Sequence, residues 1–165
     1  MIEILQQIRN ETTLRWHRVN RFKPQIRLSF EVGNYLIKTA ETIEELRHSF
    51  KLRNEVFNIE FRGIDCRLDV DRFDSLFDHL IIIDKLTMEI VGTYRLKCFD
   101  QLKNSYTALE FDLTSILSQP GPHLELGRAC IQQSHRKGSV ISLLWRGITE
   151  YMKLSGAQTL FGCSS

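Results

Sequence analysis

Glu125 and Arg128 stand three residues apart in LELGRACI (124–131), a run that reads as a strand. The polar stretch QQSHRKG (132–138) separates it from SVISLLW, where a helix begins. A helix N-terminus presents N–H groups without intrahelical partners and the positive end of its dipole, so it can hold a phosphate or pyrophosphate. Arg136 and Lys137 add charge at that turn, which Gly138 and Ser139 complete. On an ideal strand Glu125 and Arg128 face opposite sides. Gly127 lies between them, and a bulge there would bring both toward one cleft. A carboxylate in such a cleft can take a proton from an amine, directly or through water, while backbone N–H groups of a splayed strand stabilise an oxyanion. A structural Glu–Arg pair explains the same spacing.

Other chemistries find no support. The chain has no G-x-S-x-G elbow, P-loop, G-x-G-x-x-G or H-E-x-x-H. Asp69, Asp71 and Asp74 resemble a cation loop, but position 73 is Phe and the central Gly and terminal Glu of a calcium loop are missing, so no metal is expected. Cys66, Cys98, Cys130 and Cys163 share no flanking pattern and read as reduced, buried thiols. Arg53 follows Leu46 by seven residues, so it projects from an apolar helical stripe and must find an anion. His79, after Asp78 at the head of a strand, is a candidate proton carrier or a satisfied structural histidine.

The elements that must position these residues are those of an α/β domain. NYLIKTA (34–40) reads as a strand, and Thr42 with Glu45 forms a capping box for a helix over 43–58. DHLIIID (78–84) and IVGTYRLK (90–97) make a hairpin, a helical turn follows near 113–118, and the 124–131 strand leads to a helix over 139–155 with Gly156 just past its end. QTLFGC begins another strand, immediately before Ser165, which leads us to expect a sheet without its closing elements.

A chain of 165 residues, 42% hydrophobic and with a net charge of +2, suits one domain. We place that domain at 34–165 behind a basic arm, 1–33. The first thirty residues carry Arg9, Arg15, Arg18, Arg21, Lys23 and Arg27 against Glu3 and Glu11. Such an arm points to an acidic protein or an anionic membrane surface, a solvated leader being the alternative. Nucleic acid is not expected, because no basic run with interleaved aromatics follows. Without a membrane-length apolar run or a secretion signal, the expected location is cytoplasmic.

The order LRNEVF (52–57), D-x-D-x-x-D (69–74), DHL (78–80), IVGTYRL (90–96), EFDL (110–113), ELGRACI (125–131), HRKGSVISLLWRGITEY (135–151) and LFGCSS (160–165) resembles the acyl-carrier-dependent branch of the GNAT acyltransferase superfamily. That branch holds the ornithine lipid N-acyltransferases, often labelled hemolysin-like, the acyl-homoserine lactone synthases and the N-acyl amino acid synthases. ELGR, LLWRGI and LFGC look most like the ornithine lipid group. The resemblance implies a mixed, splayed sheet flanked by helices that grips a phosphopantetheine arm between the strand ending at Ile131 and the next. The donor would be the acyl-phosphopantetheine of an acyl carrier protein, or acyl-CoA, with no permanently bound cofactor. The acceptor would be an amino-acid amine such as that of ornithine.

In that scheme Glu125 is the base or water-orienter and His79 a second proton carrier. Arg128 and Arg95 position the acceptor carboxylate or brace the acidic loop, Asp71 and Asp74 bind ammonium groups, and Arg53 pairs with an aspartate. The backbone near Cys130 and Ile131 polarises the thioester, and Arg136, Lys137, Gly138 and Ser139 meet the donor phosphate. One departure from the superfamily's R-x-x-G-x-G/A loop is that Ser139 and Ile141 occupy the small-residue positions. The arm would meet the carrier or the inner membrane face. A lactone synthase using adenosylmethionine and a non-catalytic carrier- or membrane-binding module are the alternatives.

Overall fold

A computed structural model describes residues 19, 22–99 and 105–163. Arg9, Arg15, Arg18 and Arg21, and with them most of the basic arm, lie outside the described residues.

One sheet of six strands runs in chain order: β1 (Ser29–Val32), β2 (Tyr35–Thr39), β3 (Asp78–Asp84), β4 (Glu89–Phe99), β5 (His123–Ile131) and β6 (Thr159–Gly162). Every neighbouring pair is antiparallel except β5 and β6, which are parallel and joined through a helix, as a parallel crossover requires. Helix α1 (Ile43–Arg53) packs on one face, α2 (Thr114–Leu117) is a single turn, and α3 (Val140–Ser155) covers the other face.

The continuous apolar run of β3 is buried on both sides. Leu80 and Ile82 join Val140, Leu144, Ile148 and Tyr151 of α3, while Ile81 packs with Leu46 and Phe50 of α1. This is the expected two-sided central strand. The capping box forms as its spacing predicts, with Glu45 N–H donating to Thr42 Oγ1 at 3.2 Å and Thr42 N–H donating to Glu45 Oε2 at 3.1 Å. Gly156 ends α3 in the left-handed region (φ 70°), where a side chain would be strained.

Two features depart from the sequence reading. Ser29–Val32, assigned to the arm, pairs with β2 as an edge strand. The helix expected over 43–58 is regular only to Arg53 and continues as a wider π-helical stretch, Asn54–Glu60. Within it the Asn58 amide donates to Asn54 Oδ1 at 3.1 Å. Asn54 donates in turn to Asp65 at 3.0 Å, fastening the loop that leads to the three aspartates. The bulge expected at Gly127 is present, since Arg95 faces Gly127 whereas Thr93 faces Cys130. The left-handed residue in it is Arg128 (φ 54°), not the glycine.

The β5–β6 ladder ends at Leu126↔Gly162, so from Gly127 to Ile131 β5 pairs with β4 alone among the described residues. None of the four cysteines forms a disulfide, but only Cys130 is buried as expected, the other three being half-buried, and no helix of the described residues is long and apolar enough to cross a membrane.

Candidate active site

Arg53, Asp69, Asp71, Asp74, Arg95 and Arg128 converge on one network beside the central strands. Asp74 has no exposed surface. Its carboxylate accepts from Arg53 Nη1 at 2.7 Å and Nη2 at 3.2 Å, from Arg95 Nη1 at 3.1 Å, and from the backbone N–H of Asp71 at 2.7 Å. Burial alone would raise the Asp74 pKa. The charges of Arg53 and then Arg95 outweigh it and hold the carboxyl well below the usual carboxylate range. Arg53 also donates to Asp69 at 2.9 Å, and these two aspartates keep its guanidinium charged despite full burial. Arg95 donates to both Asp71 oxygens at 2.7 Å, and Arg95 and Arg53 hold Asp71 low against burial and against Asp74.

The network grades from sealed to open. The Arg53, Asp74 and Arg95 side chains are at most 2% exposed, Asp69 and Asp71 about 15% and 17%, and Arg128 26%. Arg128 contributes one hydrogen bond, Nη2 to Asp71 at 3.2 Å, and a looser 3.9 Å contact to Asp69. Asp74 therefore has no free oxygen or surface for an ammonium group, and only the outer carboxylates are positioned to meet one. Through these contacts Arg95 ties Asp71 and Asp74 of the acidic loop to the sheet.

Glu125 lies on the same sheet face, as the bulge argument requires, but its carboxylate faces the segment after the fourth strand. Its Oε1 accepts from Thr107 N–H at 2.7 Å and Thr107 Oγ1 at 2.8 Å, and its Oε2 from Tyr106 N–H at 3.3 Å; the residue is 1% exposed. It anchors residues 106–107 and is closed off from open solvent.

His79 is equally enclosed. Its Nε2 donates to the Asp74 carbonyl at 2.9 Å, the rings of Phe22 and Phe50 meet it edge-on, and burial pulls its pKa down to about 4. This geometry is that of a neutral core histidine holding the acidic loop, because an imidazole with no exposed surface has no route for exchanging a proton with a cleft.

At the far end of β5, Gln132 N–H donates to the Val91 carbonyl at 2.9 Å. Alternation along the strand then directs the backbone of Cys130 toward β4 and that of Ile131 toward the open edge. The Ile131 carbonyl there accepts from Arg136 Nε at 3.0 Å, while Arg136 Nη2 pairs with Glu60 at 2.7 Å. Burial raises the Cys130 thiol to about 12, too high to supply a nucleophile. Lys137, Gly138 and Ser139 are exposed at the start of α3, and Ser139 makes no side-chain cap. A cleft of about 270 Å³ opens between Val56 and Glu60 of the π-helical stretch and Gln132–Ser134; Lys137, Gly138 and Ser139 do not line it.

The sequence reading missed Tyr106, Thr107, Asn54 and Asn58. Nothing in local spacing marks them, because each acts through a contact remote in the chain or through the π-helical register.

A mixed sheet whose fifth and sixth strands run parallel and part beyond Leu126, followed by a helix that opens on a basic turn, is the arrangement of an acetyltransferase (GNAT) domain. That family matches residues 52–146, and the chain belongs to it. Among curated relatives, the L-ornithine N(alpha)-acyltransferase of Rhodobacter capsulatus is 34% identical over 146 residues, 80% of this chain and 56% of that protein. The chain spans about half the length of the curated relatives it matches. Of solved structures, the AHL synthase LasI superposes with a TM-score of 0.58 at 21% identity, covering 79% of this chain and 72% of its own. The aminoglycoside acetyltransferase AAC(6')-Iy, in complex with the bisubstrate analogue CoA-S-monomethyl-acetylneamine, superposes with a TM-score of 0.55 at 13% identity, covering 81% of each chain. Both share the fold.

Proposed function

We propose that this chain forms the core of an N-acyltransferase that moves a fatty acyl group from a phosphopantetheine thioester to the amine of an amino acid such as ornithine. The observation that carries the reading is the half-open rim of the ion network: Arg128, Asp71 and Asp69 stand beside the point where β5 leaves β6. An amino acid offers a carboxylate and an ammonium a few ångströms apart, and a guanidinium flanked by two carboxylates answers both. The relatives' shared name supports the acceptor.

The donor's pantetheine would lie along the unpaired edge of β5 from Gly127 to Ile131, with its thioester carbonyl toward the N–H of Ile131. Its phosphate would meet the Arg136–Ser139 turn and the first N–H groups of α3. Ser139 and Ile141 in place of small residues suit the single phosphodiester of a carrier-bound arm, so an acyl carrier protein is the donor this reading favours over acyl-CoA. In the transfer the acceptor ammonium loses a proton to water, and the neutral nitrogen attacks the carbonyl carbon. As the carbonyl re-forms and the carbon–sulfur bond breaks, the adduct's nitrogen gives up its second proton, and the departing thiolate takes up a proton, which leaves a neutral amide and a free thiol. Glu125 serves this sequence through the segment it holds. A cytoplasmic site near the inner membrane face, where a lipid product would be received, belongs to the same reading.

Purified protein, incubated with acyl-carrier thioester or acyl-CoA and a panel of amines, is assayed for thiol release. Turnover on ornithine is the expected result. Turnover on adenosylmethionine instead would make it a lactone synthase, and carrier binding without turnover on any amine would make it a binding module.

A further inference from the structure

We propose that Tyr106 is a positioning residue for Arg128, and that Glu125 acts on the reaction by holding Tyr106 in place. The inference rests on the reading of Arg128 as the contact for the acceptor's carboxylate.

Arg128 needs such help. Its backbone is in the left-handed region, and its long side chain is tethered by only one 3.2 Å hydrogen bond and one 3.9 Å ionic contact. Those tethers alone leave several rotamers open to a quarter-exposed guanidinium. The rings of Phe57 and Tyr106 add direction, for each centroid lies 5.8 Å from the Arg128 Cζ, within cation–π range. The Tyr106 ring is also 5.5 Å from Arg95 Cζ and packs edge-on against Phe73. It thus spans both guanidinium groups that face Asp71.

Tyr106 belongs to neither a strand nor an α-helix, so its place depends on what fastens it. Glu125 provides that fastening with three hydrogen bonds to residues 106 and 107. A buried carboxylate whose oxygens are occupied by N–H and O–H donors is an anchor. The sequence Glu125, backbone of 106–107, Tyr106 ring, Arg128 guanidinium is continuous.

The experiment compares Tyr106→Phe, Tyr106→Ala and Glu125→Gln by two readouts. The first is the rate at which phenylglyoxal modifies Arg128, followed by peptide mass spectrometry, with buried Arg53 as the internal control of folding. The second is the separate KM values for amino-acid acceptor and acyl donor, with the pH profile of turnover. Tyr106→Ala should speed labelling of Arg128 and raise acceptor KM, each by about fivefold, leaving donor KM unchanged. Tyr106→Phe keeps the ring and should stay within about twofold of the unaltered protein. Glu125→Gln should raise acceptor KM as Tyr106→Ala does, without changing the pH profile.

Labelling of Arg128 at an unaltered rate in Tyr106→Ala would overturn the positioning role. A fall in kcat with a displaced acid limb and constant acceptor KM in Glu125→Gln would make Glu125 a base instead. Should Arg53 become reactive in Tyr106→Ala, the same comparison is made with Tyr106→Leu. If the unaltered protein acylates no amine, the acceptor reading fails, while labelling still decides whether Tyr106 directs Arg128.

Discussion

Around Asp74, two guanidinium groups and a backbone N–H converge on a carboxylate with no exposed surface, whereas Arg128 meets its partners at the edge of solvent. The physical difference between these ion pairs is desolvation. Removing one partner of a buried pair leaves an uncompensated charge, which costs roughly 3–5 kcal/mol, while exposed pairs contribute about 1 kcal/mol or less. Urea unfolding should accordingly show Arg53→Met losing about 3 kcal/mol and Arg128→Met under about 1 kcal/mol. Equal losses would mean that the network is not graded as its exposures indicate. The need of Arg53 for an anion was legible, because its place on an apolar helical stripe determines that it is buried. That Asp74 rather than Asp69 or Asp71 is the hub was not, since three aspartates within six residues look alike until a fold decides which one is covered. Nor was the left-handed Arg128 legible, because a glycine stood next to it and glycine is the residue expected there.

Among the elements, those read most directly from the sequence were the ones with local signals: the Thr42–Glu45 capping box, the apolar run of β3 and the stripe of α3. β1 was missed because a four-residue edge strand has little periodicity, and its existence depends on pairing with β2. The π-helical stretch was missed because its register is held by Asn54 and Asn58 reaching residues 64–66, contacts no helical periodicity encodes. The parallel β5–β6 pair makes a sharper demand. A Cβ placed on Gly162 would lie 2.1 Å from the carbonyl oxygen of Leu126 and 3.0 Å from its carbonyl carbon, both backbone atoms that cannot rotate away. Gly162→Ala should therefore push β6 off β5, lowering stability by about 2 kcal/mol and speeding amide exchange in 159–162. Unchanged exchange would show that the strands part before Gly162.

For the molecule as a whole, the buried titratable groups tie stability to pH. His79 has its folded pKa depressed to about 4 by burial, below its ordinary 6.5. Its contribution is therefore fully present above pH 6.5 and is lost as pH falls toward 4, because the unfolded chain binds a proton that the native core refuses. Asp74, also depressed, adds a further loss below the ordinary carboxylate range; Asp78, raised mainly by burial, opposes it. Denaturation between pH 6.5 and 4 should show a slope about 1.4 kcal/mol per pH unit steeper in the unaltered protein than in His79→Phe. Identical slopes would place His79 in contact with solvent.

The sequence alone determined the central strand, the capped first helix and the strand–turn–helix bearing the basic loop, because periodicity and composition act over a few neighbouring residues. Which carboxylate is sealed, which arginine faces the groove, and that Glu125 fastens Tyr106 rather than facing the groove were decided only by the tertiary structure. Burial and the pairing of residues eighteen to fifty-seven positions apart arise when the whole sheet closes over its helices.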